Sequence, residues 1–215
     1  MTLLQRWFVS LAGTAVASAA SIAWLDRPIA LISREHLAHR ETFASLTHIP
    51  DPLIPVAVIV FIAMGLWAFA AWPLVRWQTA ALLCSISVIV AETTKSELKY
   101  VFGRTWPDTW VGNNPSFLRN GAYGFNFFHG GAGYASFPSG HTAVTCAIAS
   151  VLWVYYPRLR PLWALGVLLV VVGLLGANYH FLGDTIAGGF VGASTGWMTV
   201  TLWNARSGKP TPPQA

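Results

Sequence analysis

Six apolar windows, at 7–25, 53–72, 77–94, 142–156, 161–179 and 185–203, constrain this chain of 215 residues more than any other feature. Each comes near the ~20 residues with which an α-helix crosses about 30 Å of hydrocarbon. In that solvent every backbone amide must find its partner inside the protein, so runs of this length are expected to be helical. The expected fold class is therefore all-α: a polytopic membrane helical bundle of about six transmembrane helices, forming one domain over 1–205. A tail at 206–215, with Pro210, Pro212 and Pro213, is expected to be disordered and cytoplasmic. Composition agrees, since 54% of residues are hydrophobic and 10% charged, with mean hydropathy +0.53, against roughly a quarter charged in soluble domains. Eleven Trp, six Tyr and twelve Phe fit the aromatic belts of a membrane boundary. The net charge of +5 is scattered singly between apolar runs, so nucleic acid is not an expected partner. Cys84 and Cys146 lie within apolar stretches and define no disulfide framework.

The first window, preceded by Arg6 and rich in Ala and Ser, has some features of a signal peptide, but it runs on to Trp24 without an obvious stop and reads as a retained helix. With a cytoplasmic amino terminus, the cytoplasmic connections carry Arg6, Arg76, Arg158, Arg160, Arg206 and Lys209 and no acid. The other seven cations are spread over two long external loops, which satisfies the positive-inside rule. The expected localisation is integral to a plasma membrane, the inner membrane if the source is bacterial, with the site facing the periplasm or exterior. All six histidines and every acid except Glu92 fall on that outer side. Of the external segments, 33–51 reads either as a short interfacial helix or as a solvated connector. The aromatic-rich loop 105–137 is long for a structureless connection and reads as a lid or headgroup pocket.

Three clusters meet the outer boundary: Lys95, Glu97, Lys99 and Arg104 after the third window, PSGH at 138–141 opening the fourth, and NYHFLGD at 178–184 between the fifth and sixth. Charge this close to lipid is expensive and tends to mark a site. Pro138 suits a helix start, where the amides of Ser139, Gly140 and His141 would face an anion together with the positive end of the helix dipole. The plainer alternative is an N-cap without a ligand. Lys99 and Arg104 supply cations for phosphate oxygens, Ser139 a hydroxyl, and Gly140 room for close approach. His180 with Asp184 has the arrangement in which a carboxylate holds one imidazole nitrogen and presents the other to an electrophile. His141 then has the complementary task of protonating the leaving oxygen. No HExxH, paired Cys or carboxylate cluster is present, so neither a metal nor another cofactor is expected, and His36 and His39 read as solvated.

Lys99 through Pro107, Pro138 through His141 and His180 through Asp184 resemble, in order and spacing, the three signature motifs of the type 2 phosphatidic acid phosphatase superfamily of membrane lipid phosphatases. The resemblance implies phosphate binding by the motif cations, general acid catalysis by His141, and a nucleophilic His180 held by Asp184. Two positions depart from the pattern: Trp106 stands where the first motif has arginine, and Gly173 and Leu174 stand where the third motif has serine and arginine. Arg104 replaces the first arginine only if the local backbone is not helical. Arg119 is a further candidate if its loop folds back into the pocket. The expected activity is hydrolysis or transfer of a terminal phosphate of a phospholipid or prenyl (pyro)phosphate at the external leaflet, without metal, through a phosphohistidine. The alternative is a non-catalytic relative that binds or moves phospholipid, and a transporter is disfavoured because Glu92 is the only acid within a window. Neither lipid identity nor oligomeric state is fixed, although Gly188, Gly192 and Gly196 form a small-residue seam suited to packing against the protein's own helices.

Overall fold

A computed structural model describes residues 1–37, 40–70, 73–110 and 112–207. His39, Lys209 and the proline tail lie outside the described residues. Helices α1 (Leu3–Ala20), α2 (Asp26–His36), α3 (Arg40–Thr47), α4 (Leu53–Phe69), α5 (Arg76–Phe102), α6 (Phe117–Asn120), α7 (Gly140–Tyr155), α8 (Arg160–Gly176) and α9 (Leu182–Arg206) follow in order. Each of the six apolar windows falls on a long helix, and no strand forms among the described residues. By length and hydropathy, Leu3–His36 and Pro157–Gly176 qualify as membrane spans, while Leu53–Phe69 and Gly140–Tyr155 are apolar but shorter.

Local chemistry sets several helix limits. The Thr2 hydroxyl accepts from the Gln5 amide and the Gln5 side chain accepts from the Thr2 amide, a reciprocal cap that starts α1. At its far end α1 passes through a π-helical segment, Ser21–Leu25, and continues without a break into α2. An extra residue per turn shifts the following side chains by about 100° relative to a regular α-helix. Asp26, the first residue after that shift, is buried. Helix α5, at 27 residues, is about 40 Å long and carries Lys99 in its last turn. It ends at Gly103 (φ +53), whose left-handed conformation reverses the chain where a Cβ would lie 1.9 Å from the Asn126 carbonyl oxygen.

The core lies along α5, α7 and α9, where Val88, Ala91, Ala143, Val144 and Ala147 are fully buried. The glycine seam of α9 faces α7, as its spacing suggested. A Cβ on Gly188, Gly192 or Gly196 would lie 2.3, 2.1 or 2.6 Å from the carbonyl oxygens of Ser139, Ala143 and Ala147. Backbones this close bring the first turn of α9 against the start of α7.

Within segment 33–51, Ser33 to His36 end α2 and Arg40–Thr47 form the short helix α3, the helical one of its two readings. Helix α3 packs on α8, with Leu46 over Gly173 and the Phe43 ring over Gly176. The two glycines, three apart on one face of α8, leave the groove that these side chains enter. We expect Gly192→Ala to lower the detergent melting temperature by several degrees, since overpacking costs about 1–3 kcal/mol. Gly166→Ala, whose Cβ meets nothing within 4 Å, should melt with the wild type, and equal melting of all three proteins would refute the close α7–α9 approach.

Candidate active site

Three turns of chain build the site. Between α8 and α9, residues 177–181 carry His180, with only 3% of its surface exposed. Asp184, in the first turn of α9, is fully buried. Its Oδ2 accepts from the Phe181 amide at 2.9 Å and the Ser136 hydroxyl at 2.6 Å, and lies 3.4 Å from His180 Nδ1. The last distance is that of an ion pair rather than a short hydrogen bond. It nonetheless turns Nδ1 toward the carboxylate and leaves Nε2 as the available nitrogen. Burial pushes the His180 imidazole below its ordinary range, against the opposing pull of the neighbouring Asp184 carboxylate. His180 is thus neutral near pH 7, the state a nucleophile requires.

The PSGH turn differs from its sequence reading in detail. Helix α7 begins at Gly140 rather than at Pro138, and Ser139 is its N-cap, fully buried, with its hydroxyl accepting from the Thr142 amide at 3.4 Å. The Ser139 amide donates to the Asp184 carbonyl at 3.0 Å. Ser139 therefore fixes the turn instead of offering its groups to an anion. The amides of Gly140 and His141 have no protein acceptor among the described residues, and they remain at the positive end of α7. Two amides, not three, face outward. His141 lies across the opening, its ring centroid 6.1 Å from that of His180 and its Nε2 3.5 Å from Asp51 Oδ1. Asp51 in turn bonds His48 at 2.7 Å.

Arg104, expected to face phosphate, points the other way. The reversal at Gly103 turns its side chain inward, where it has no exposed surface. One terminal nitrogen contacts Asp184 Oδ1 at 2.5 Å, and the other contacts Asp26 Oδ2 at 2.6 Å and the Tyr123 hydroxyl at 3.2 Å. Its guanidinium lies 4.5 Å from the Phe181 ring centroid and 5.1 Å from that of Phe125. The local backbone is not helical, as a replacement required, but the vacancy it fills is behind Asp184. Asp26 completes the chain by accepting from Ser21 Oγ at 2.6 Å and from the Gly183 amide at 2.9 Å.

On the open side, Trp106 occupies the position of the missing arginine. Its ring lies 5.2 Å from His180 and 5.7 Å from Lys99 Nζ, and its indole nitrogen donates to the Ala132 carbonyl at 2.7 Å. Lys95, one turn before Lys99, pairs with Glu92 at 3.2 Å, and its Nζ would meet a Cβ on Gly140 at 3.1 Å. Two lysines therefore flank the turn that holds the free amides. Leu174 is fully buried, so the third motif's arginine position turns into the core. Arg119 lines a separate cleft. Loop 105–137 is tied down by Thr105, whose amide donates to the Gly124 carbonyl, and by the Ser136 amide, which donates to the Arg104 carbonyl. Of its aromatic residues, Tyr123 and Phe125 lie against the Arg104 guanidinium and Trp106 against His180. Sequence reasoning missed Asp26, Tyr123 and Ser136. Asp26 is the one with a usable signal, a carboxylate directly after an apolar window.

The family model for the PAP2 superfamily matches residues 80–207, more than half of the chain and all three motifs. The chain belongs to the PAP2 superfamily. A lipid A 1-phosphatase of Rhizobium etli is 29% identical over 210 residues, covering 91% of this chain and 83% of that protein. The crystal structure of a transmembrane PAP2-type phosphatidylglycerolphosphate phosphatase from Bacillus subtilis superposes with a TM-score of 0.63 at 18% identity, over 93% of this chain and 96% of the other. The shared fold and the apolar helices make this PAP2 protein an integral membrane protein.

Removing one partner of a buried ion pair typically costs about 3–5 kcal/mol, so Arg104→Ala and Asp26→Ala should each lower stability sharply. Because the two side chains touch, the double variant should lose at least ~1 kcal/mol less than the sum of the singles. Additive losses in a detergent unfolding series would show that the contact contributes little.

Proposed function

We propose that this PAP2 protein removes the terminal phosphate of a lipid at the external face of the membrane through a phosphohistidine at His180. It is a hydrolase of lipid phosphate monoesters. The observation that carries the reading is a neutral, nearly buried His180 set between Asp184 and a second imidazole, His141, with cations and free amides grouped beside them.

His180 Nε2 attacks phosphorus, and the bond between phosphorus and the lipid oxygen breaks while His141 protonates that oxygen. Burial and the neighbouring cations lower the pKa of the free His141 imidazole to about 4, and the negative charge of the bound phosphate raises it so that the ring carries the proton it delivers. Water then attacks phosphorus, the phosphorus–Nε2 bond breaks, and the now unprotonated His141 accepts the proton of the water as inorganic phosphate leaves. Lys99, Lys95 and the amides of Gly140 and His141 neutralise the phosphate oxygens. Asp184 sets the tautomer of His180, and Arg104 sets Asp184. No step calls on a metal. The charge asymmetry of the connections supports a cytoplasmic amino terminus and a site at the outer face, which in a bacterium is the periplasmic side of the inner membrane. The similarity to a lipid A 1-phosphatase over nine-tenths of the chain favours a phosphorylated glycolipid or phospholipid as the substrate class.

His180→Ala should abolish phosphate release, and acid-quenched wild type incubated with radiolabelled substrate should carry an acid-labile phosphoryl group that this variant lacks. General acid catalysis contributes roughly 10²- to 10⁴-fold, so His141→Ala should lose more on an alkyl lipid phosphate than on an activated aryl phosphate. Equal losses would remove His141 from the acid role, and binding without turnover of any lipid phosphate would favour a non-catalytic carrier. Activity that requires added magnesium would contradict the metal-free scheme.

The pH dependence follows from the sign of the His180 shift. Catalysis needs the unprotonated ring, and burial lowers its pKa, so the acid limb of kcat/KM should lie below the ordinary histidine value of about 6.5. Asp184 opposes that lowering, so Asp184→Asn should move the limb to still lower pH while reducing the plateau. Both profiles use one substrate, so its own ionisation cancels, and a limb that moves upward in the variant would contradict the pairing.

A further inference from the structure

Beside the active site, the end of α2, the start of α3 and the loop after α5 enclose a cleft of about 440 Å³ lined by Arg34, Arg40, Asp108, Thr109, Leu118 and Arg119. Its volume falls within the roughly 300–1,000 Å³ of small-molecule sites. Three guanidiniums face one carboxylate. Arg40 is held in place: it donates to the Ala177 carbonyl from two nitrogens, at 3.2 and 3.0 Å, contacts Asp108 at 2.5 Å, and lies 4.7 Å from the Trp110 ring centroid. The other two are not neutralised. Arg34 donates one bond to the Leu118 carbonyl at 2.6 Å and Arg119 one to the Asn113 side chain at 3.1 Å, and neither has a carboxylate at ion-pair distance among the described residues. A guanidinium offers five donors in a planar fork matched to phosphate and carboxylate. Most of those donors on Arg34 and Arg119 have no protein acceptor among the described residues.

The cleft is joined to the catalytic turn. Arg40 holds the carbonyl of Ala177, three residues before His180, and Trp110 packs edge-on at 4.0 Å against Tyr179, the neighbour of His180.

We infer that the Arg34–Arg40–Arg119 cleft is a second anion subsite, which takes a further phosphate or carboxylate carried by the headgroup of the lipid dephosphorylated at His180. This deepens the phosphatase reading and rests on it. The substrate class is then a lipid whose headgroup carries a second anionic group beside the phosphate that is removed. A lipid with a single phosphate fills only the catalytic pocket and forgoes the arginines.

The test compares full-length wild type, Arg119→Gln and the Arg34→Gln/Arg119→Gln double variant in detergent, on phosphatidic acid and on a disaccharide glycolipid with a phosphate at each end. Each hydrogen bond to a charged group is worth roughly 10- to 150-fold in affinity, so losing two weakens binding by roughly 100-fold or more. The double variant should therefore lose about that much kcat/KM on the two-phosphate lipid through KM, with kcat held, and stay within about twofold on phosphatidic acid. Arg119→Gln, whose residue makes only the Asn113 contact, should show a smaller loss in the same direction. Equal effects on the two lipids, or none, overturn the subsite. If the double variant instead loses affinity for phosphatidylglycerol vesicles while its substrate preference is unchanged, the cleft holds bulk headgroups and the inference fails. Relief of the two-phosphate preference by millimolar inorganic phosphate, in the wild type alone, would support an anion site within the cleft. Should wild type hydrolyse neither lipid, the phosphatase reading fails separately, and the subsite is decided by whether the double variant binds the two-phosphate glycolipid more weakly than wild type does.

Discussion

One arginine between two carboxylates holds this molecule's chemistry in register. Asp26, Arg104 and Asp184 come from three distant parts of the chain and none has exposed surface. Isolated buried charges are destabilising by several kcal/mol each after relaxation, so such a chain persists only where every lone pair and donor is nearly satisfied. Here the amides of Phe181 and Gly183 and the hydroxyls of Ser21 and Ser136 supply the carboxylates. Aromatic faces of Phe181, Phe125 and Tyr123 surround the guanidinium. Once that chain is set, the start of α9 is tied to the π segment after α1, and through the Ser139 amide the start of α7 is tied to α9. His180 and His141 inherit their relative position from these ties.

How much of this was written legibly in the sequence depends on the range of the interaction. The six windows, the glycine seam and the motif residues His141, His180 and Asp184 were readable because each rests on spacing within one segment. Arg104 and Asp26 were not, because the identity of a buried ion-pair partner is a property of the fold. A carboxylate at the edge of an apolar window looks like an ordinary boundary charge, and only the π segment turns Asp26 into the core. Ser139 was ambiguous for a different reason. An N-cap serine and a phosphate-binding serine make the same demand on sequence, and the structure separates them by where the hydroxyl finds its partner. Gly173 and Leu174 were visible as departures from the family pattern; in the fold Gly173 leaves room for Leu46 of α3, and Leu174 is fully buried.

The absent arginines are replaced by redistribution of charge. In place of guanidiniums aimed at phosphate, the open side presents two lysines on successive turns of α5 and the first amides of α7. Ammonium groups on flexible stems recognise charge without the planar geometry of an arginine fork. On the proposed mechanism such a pocket would bind a phosphate with little discrimination among phosphates. Arginines do lie farther out, around the cleft beside Ala177.

Burial lowers both imidazoles, and they differ in exposure and in partner. His180 is enclosed, next to a carboxylate whose own charge is already partly spent on Arg104, while His141 keeps about a third of its side chain exposed and faces Asp51. The chain behind His180 sums to one negative charge, two carboxylates against one guanidinium. At rest that single charge is too dispersed to overcome the desolvation that keeps His180 neutral. On the proposed mechanism the ring that bonds phosphorus through Nε2 becomes cationic, and the same charge would stabilise it with no reorganisation of solvent. A full second cation behind Asp184 would cancel that field, and an unpaired Asp184 would protonate the ring before it reacts. One shared arginine lies between those limits, which accounts for Arg104 facing inward to the carboxylates rather than outward to the substrate.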